Sequence, residues 1–260
     1  MSAPVLEAKG LGIRFGGVVA AADVTVRVDE REVVGIIGAN GAGKTTFVNM
    51  VTGYLKPQTG RIRYLGRDVT PLSPREITRI GIRRSFQIPQ VFDEMTALDN
   101  LLAALALAPS ARRSWWRPLR RPETVEAARR VLERFAIGAF ADHEAGLLPQ
   151  GVRKILDIAM ATVEEPRLVL LDEPTSGVSA DEKFPVMDTL MGALAEQGVT
   201  TLFVEHDMEV VERYAQRVLA FYSGEVIADG SVEAVLADPD VRRYVVGKEL
   251  HRGSRAERGP

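Results

Sequence analysis

Cysteine is absent from all 260 positions. Disulfides, thiolate metal sites and a cysteine nucleophile are therefore excluded, and any chemistry must use other groups. Long apolar runs are missing as well. No stretch approaches the ~20 apolar residues a helix needs to span a bilayer. The start, MSAPVLEAKG, lacks the basic flank and apolar core of a secretory signal. The expected location is the cytoplasm, with any membrane role supplied by a partner. A dominant charge of one sign is lacking too: 33 Lys and Arg stand against 35 Asp and Glu, for a net charge of −2. That balance argues against a chain whose main work is neutralising nucleic-acid phosphates. With 46% apolar and 26% charged residues, the composition is that of an ordinary soluble globular protein. The length suits one compact unit with subdomains, or two small domains. No internal repeat is present.

What is present has a clear order. Residues 5–9 and 24–28 are short β-type runs flanking Gly16 and Gly17, which reads as antiparallel hairpin structure. Residues 33–37 are continuously apolar, as in a strand buried on both faces, and a glycine-rich loop and a helix over 44–55 follow. Two later runs share this character: 168–171, ending on Asp172 and Glu173, and 200–204, ending on Glu205 and His206. Open parallel sheets bind ligands beyond the carboxyl ends of their strands, so three polar strand ends are expected to face one site. Between 87 and 165 the pattern is helical: Thr96 caps a run to 107, 123–137 is amphipathic, and 149–163 follows. Near the end, Ser223 and Gly224 join 218–222 to 225–228 as a hairpin, and Ser231 caps a short helix. The expected fold is α/β, with residues 1–86 and 166–247 forming the core and its β subdomain. Residues 87–165 form a helical subdomain, and 248–260 a flexible tail.

The loop Gly38-Ala-Asn-Gly-Ala-Gly-Lys44-Thr45 fits the phosphate-loop pattern, with the required strand before it and helix after it. Its glycines let successive backbone N–H groups turn toward phosphate oxygens, and the helix N-terminus adds a favourable dipole. Lys44 is placed to reach the β- and γ-phosphates, Thr45 to put its hydroxyl on Mg²⁺, and Thr46 to donate to the α-phosphate. The ligand read from this loop is ATP with Mg²⁺. A glycine turn that merely joins strand to helix is the alternative.

Asp172 and Glu173 end an apolar strand, where two adjacent charges are costly without cations or donors nearby. A strand ending in Asp-Glu is on its own usually a turn. Beside a phosphate loop, Asp172 reads as the metal-holding carboxylate and Glu173 as the group that polarises the attacking water. Phosphoryl transfer needs such positioning and neutralisation more than covalent chemistry. His206, one of three histidines, ends a third buried strand and can reach the γ-phosphate or the water; a packed or exposed histidine is the plainer reading. His143 and His251 have no such setting. Gln87, just past the run 82–86, can contact the metal or the water.

Taken together, these residues resemble the ABC ATPase family, the nucleotide-binding subunits of ABC transporters, from about residue 6 to 247. The resemblance implies a P-loop NTPase (RecA-like) core with an antiparallel β subdomain and an inserted helical subdomain. It makes Phe15 the aromatic that stacks on adenine, with a packed strand residue as its alternative. Residues 38–46, with Gly38, Asn40, Gly41 and Gly43, become the Walker A loop, and Gln87 the Q-loop glutamine. Asp172 becomes the Walker B aspartate, Glu173 the catalytic glutamate and His206 the switch histidine. It also implies a head-to-tail dimer of two ATPase subunits on transmembrane permease subunits, and so a place at the inner face of the cell membrane.

The family signature Leu-Ser-Gly-Gly-Gln is matched by Leu148-Pro149-Gln150-Gly151-Val152, which departs from it. Pro149 stands where a serine hydroxyl would meet the opposing subunit's γ-phosphate, and Val152 replaces the glutamine. Gly151 is retained as the in-trans contact. Proline is comfortable at a helix's first position, so the helix and its dipole are expected to persist. Ser179 stands where the D-loop ends in Asp or Asn. The patterns Gly81-Ile-Arg-Arg-Ser-Phe-Gln87, Asp99-Asn-Leu101, Val204-Glu-His-Asp-Met208 and Asp238-Pro-Asp-Val-Arg-Arg-Tyr244 look like the branched-chain amino acid importer subgroup. The altered signature suggests that a paralogous ATPase completes the dimer. Two other readings stand beside the importer: a non-transport ABC ATPase, and an ATP-dependent dimerisation switch with little hydrolysis. The former usually carries tandem cassettes or coiled-coil inserts, which are not in this sequence. The latter is opposed by intact Lys44, Asp172, Glu173 and His206. The basic-aromatic stretch 112–121 reads as a solvated loop or as a contact for a membrane subunit or anionic headgroups, with nucleic-acid stacking a third reading that no fold signal supports.

Overall fold

The short apolar runs become strands, and the glycines between them become the turns and bulges that set their register. The structure, a computed structural model, describes residues 4–85, 87–108 and 118–247. The basic-aromatic stretch thus lies outside the described residues up to position 117, as does the tail 248–260. The chain divides into two compact units, one running to Thr78 and resuming at Thr200, the other Arg79–Val199.

The first unit opens with strands β1 (Leu6–Phe15) and β2 (Val18–Val28), then β3 (Val33–Gly38), helix α1 (Lys44–Val51), β4 (Thr59–Tyr64), β5 (Arg67–Asp68) and α2 (Pro74–Arg79). In β1, Leu6, Ala8, Leu11 and Ile13 turn inward. The step of three from Ala8 to Leu11 is a bulge, where Gly10 takes φ +65° and lets the alternation slip without exposing Leu11. The β1–β2 hairpin joins β4 and β5 in an antiparallel sheet of order β2-β1-β4-β5. Helix α1 stops at Val51, four residues short of the expected end. Gly53 follows at φ +78°, and a Cβ there would press on the Leu72 carbonyl at 2.9 Å. Gly53 is therefore the helix stop.

The second unit carries β6 (Ile82–Ser85), α3 (Ala97–Leu107), α4 (Pro122–Arg134), α5 (Gln150–Ala161), β7 (Leu168–Asp172) and α6 (Ala180–Glu196). Thr96 caps α3 as expected, its Oγ1 accepting from the Asp99 N–H at 3.1 Å. Fully buried Asn100 accepts from the Phe92 N–H and donates to the Phe92 and Thr96 carbonyls, so the polar residue fastens the preceding loop. Helix α4 ends at Arg134 and not at 137. Ala136 turns left-handed at φ +52°, while the Ile137 and Ala136 N–H groups return to the Leu132 and Glu133 carbonyls, each at 2.9 Å. That is a Schellman stop with alanine where glycine is usual. Strands β6 and β7 run parallel, pairing Ile82 with Leu168 and Ser85 with Leu171.

The first unit resumes with β8 (Thr200–Val204), α7 (Met208–Tyr214), β9 (Arg217–Tyr222), β10 (Glu225–Gly230), α8 (Val232–Ala237) and α9 (Pro239–Val241). Here β3 lies between parallel neighbours β8 and β9, with β10 antiparallel outside β9. Val34, Ile36, Ile37, Val218, Leu219, Ala220 and Phe221 are all at 0% exposure. Burial on both faces accounts for runs that are apolar without alternation. Among the described residues, no helix is long and apolar enough to cross a membrane.

Candidate functional site

The phosphate loop of the first unit leaves β3 at Gly38 and enters α1 at Lys44. Two of its glycines admit no side chain. Gly38 has φ +150° with the Phe221 carbonyl oxygen 2.4 Å from where a Cβ would stand, and Gly43 has φ +105° with the Ala20 carbonyl oxygen at 2.8 Å. The loop is held from both sides: the Gly224 N–H donates to the Ala42 carbonyl and the Ala22 N–H to the Gly224 carbonyl, each at 2.9 Å. The β9–β10 turn thus pins the loop to β2. Lys44 is only 6% exposed. Its Nζ folds back to donate to the Gly38 and Ala39 carbonyls at 2.5 and 3.2 Å, so the ammonium sits over the start of its own loop. A buried ammonium requires such acceptors. Asn40, Gly41 and Thr45 are exposed and Thr46 is half-buried.

Phe15 is 50% exposed at the tip of the β1–β2 hairpin, opposite Val18. It is not a packed strand residue, which removes the plainer alternative. Two residues beyond Val18, Ala20 lies against Gly43. The aromatic tip and the phosphate loop are thereby joined through β2. His206 follows β8, whose end is fastened to β3 by the Glu205 N–H donating to the Ile36 carbonyl at 3.3 Å. Buried Glu205 accepts from the His206 N–H at 3.2 Å. Asp207 then caps α7 by accepting from the Glu209 N–H. Glu205 and His206 thus stand on a braced turn between strand and helix.

In the second unit, the parallel pairing of β6 and β7 brings Gln87 and the Asp172-Glu173 pair to adjacent carboxyl ends. Gln87 Nε2 donates to Glu173 Oε2 at 2.6 Å and approaches Ser176 Oγ at 3.5 Å. Glu173 has φ +49°, a left-handed conformation that is uncommon without glycine and concentrates at functional sites. Asp172 pairs with largely buried Arg84 at 2.6 Å. In this unit Gln87 and Asp172 offer amide and carboxylate oxygens, and in the other Thr45 offers a hydroxyl; each is by its chemistry a hard oxygen donor of the kind that suits Mg²⁺.

The signature segment differs from expectation in one respect. Pro149 is the N-cap of α5 and not its first helical residue, and no side chain caps the helix there. Gly151 is buried against α6, with Val186 Cγ2 at 2.7 Å from a Cβ placed on it. The missing side chain thus serves close packing of α5 on α6 within the chain. Sequence reasoning gave no role to Arg84, Lys154 or Asp157. Lys154 donates to the Gln87 carbonyl at 2.6 Å, and Asp157 accepts from the Gln90 N–H at 2.8 Å. Burial pushes the Asp157 carboxyl up to about 6, against the opposing pull of the Gln90 N–H, Lys154 and Ser85. A Lys and an Asp three apart on an otherwise apolar helix face was the available signal.

The family model for the ABC transporter matches residues 21–176. The high-affinity branched-chain amino acid transport ATP-binding protein BraF of Pseudomonas aeruginosa is 36% identical over 260 residues, spanning 95% of this chain and 100% of its own. Among solved structures, an ATP-binding cassette of an ABC transporter superposes with a TM-score of 0.82 at 32% identity, covering 93% of this chain and 98% of that one. A dimeric cassette in a post-hydrolysis state, bound to ADP and Pi, gives 0.73 at 25% identity, with 87% and 98% covered.

Proposed function

This chain belongs to the ABC transporter family, and on that premise we propose that it is the ATP-hydrolysing subunit of an importer for branched-chain amino acids or related small solutes. The observation that carries the reading is the phosphate loop, in which two glycines that admit no side chain and a buried Lys44 form a backbone cradle at the start of α1. Backbone N–H groups at a helix N-terminus bind phosphate without further help. In this reading Phe15 stacks on adenine. Gly38, Asn40, Gly41 and Gly43 shape the cradle, Lys44 contacts the β- and γ-phosphates, and Thr46 donates to the α-phosphate. Thr45, Gln87 and Asp172 hold Mg²⁺, partly through water; when bound, the ion neutralises charge on the transferring phosphoryl group. Glu173 polarises the attacking water, with its carboxylate held by Gln87, and His206 contacts the γ-phosphate.

The partners proposed are a second ABC ATPase in a head-to-tail dimer and transmembrane permease subunits that keep the chain on the inner face of the membrane. No role for nucleic acid is proposed. The second ATPase is proposed to be a paralogue, because Pro149 offers no hydroxyl at the α5 N-cap. ATP turnover of the purified chain is to be compared with that of the heteropair formed with a co-encoded ATPase. The heteropair is expected to be the faster, and full-rate hydrolysis by the homodimer would sink the asymmetry. Transport in vesicles holding the permease and its solute receptor tests the importer. ATP-dependent uptake of leucine, isoleucine or valine supports it, and turnover that ignores the receptor contradicts it.

A further inference from the structure

Three side chains on the first turns of α5 hold the segment that follows β6. Fully buried Lys154 donates to the Gln87 carbonyl at 2.6 Å, Asp157 accepts from the Gln90 N–H at 2.8 Å, and Arg153 reaches Asp93 across 2.5 Å. Lys154 and Asp157 are three apart and share one helix face. Residues 87–90 are therefore tied to α5 through their backbone. A buried ammonium is a poor stabiliser, since well-packed apolar residues of similar size often serve stability equally well. Its presence therefore calls for a use other than stability.

The path continues from Gln87. Its main chain is held by Lys154, and its side-chain amide holds Glu173 Oε2 at 2.6 Å. Glu173, at φ +49°, lies on a turn whose backbone is strained, so its carboxylate depends on neighbours for placement. We propose that Lys154 is a positioning residue for hydrolysis: it fixes Gln87, which fixes the Glu173 carboxylate. Because Lys154 lies on the helix into which Leu148-Pro149-Gln150-Gly151-Val152 runs, it also makes the carboxylate sensitive to where that segment sits. The proposal rests on Glu173 being the group that polarises water.

The test is steady-state turnover and nucleotide affinity of the full chain, in whichever dimer hydrolyses ATP, for Lys154→Met, Gln87→Ala and the double variant. Lys154→Met is expected to lower kcat roughly 10- to 100-fold, the scale of a misplacement near 1 Å, with ATP affinity within about twofold. In the Gln87→Ala background it is expected to cost nothing further, since groups acting through one another are not additive. Unchanged kcat overturns the proposal, as does an equal loss of affinity, or a full further loss in the Gln87→Ala background. If Lys154→Met does not fold, Asp157→Leu frees the Gln90 N–H and is held to the same three outcomes. Wild-type turnover that does not respond to Glu173→Gln would instead overturn the role of Glu173, whatever Lys154→Met does.

Discussion

Gly151→Ala is expected to destabilise the chain through contacts inside it. The added Cβ would stand 2.7 Å from Val186 Cγ2, where carbon atoms prefer about 3.5–4.0 Å. Val186 is buried on α6, and a β-branched side chain in a helix has essentially one χ1 rotamer, so the methyl cannot swing aside. Helices α5 and α6 must part instead. Overpacking of this kind costs about 1–3 kcal/mol, and alanine in place of a helical glycine returns about 0.5–1 kcal/mol. The net loss is about 1–2 kcal/mol, a fall in Tm of roughly 3–6 °C for a chain of this size. Thermal unfolding of Gly151→Ala, Val186→Ala and the double variant measures it. Val186→Ala removes the opposing methyl, so the double variant is expected to be more stable than the sum of the singles by about 1–2 kcal/mol. Strict additivity, or a Gly151→Ala chain as stable as wild type, would refute the packing argument.

Four further outcomes are expected. Asp157 titrates near 6 in the folded chain against an ordinary 3.8, so between those values the folded state keeps a proton that the unfolded state has released, and stability falls as pH rises. The loss is about 3 kcal/mol at roughly 1.4 kcal/mol per pH unit. Asp157→Asn is therefore expected to gain that much on wild type between pH 4 and 7 in urea titrations, and parallel curves would contradict it. Ala136→Gly, at the left-handed position ending α4, is expected to add about 0.5–1 kcal/mol, the alanine strain exceeding the glycine entropy cost; a lowered Tm contradicts it. Gly43→Ala drives a Cβ against the Ala20 carbonyl and is expected to abolish binding of a fluorescent ATP analogue. Pro149→Ser installs a favoured N-cap on α5, expected to add about 1 kcal/mol. If the missing hydroxyl limits the homodimer, the same change raises its turnover.

The strands that carry the site were legible because burial on both faces leaves no charged residue to break the run, as at 33–37, 168–171 and 200–204. The phosphate loop was legible because its glycine spacing is a backbone requirement. Helix ends were harder. Gly53 stops α1 and could have been read as a C-cap, whereas Ala136 stops α4 from a residue that favours continuing it. Helix α6 was hidden by Pro185 in its second turn, a residue that normally ends a helical pattern. In the site, Gln87 and Glu173 were named separately, but their hydrogen bond depends on the parallel register of β6 and β7, which joins positions 86 residues apart. The partner of Arg84 is set by the same long-range pairing, and that of Lys154 by the packing of α5 beside β6. Gly151 was read for its backbone toward another subunit, while its contact with Val186 needed the packing of two helices to be seen.

The central claim is that the chain hydrolyses ATP with Glu173 polarising the attacking water. Phosphate release by wild type and Glu173→Gln, with ATP affinity measured on both, tests it most directly. Loss of a general base costs about 10²- to 10⁴-fold. The account expects a fall of that size in turnover with ATP binding retained, and equal turnover in the two proteins would contradict it.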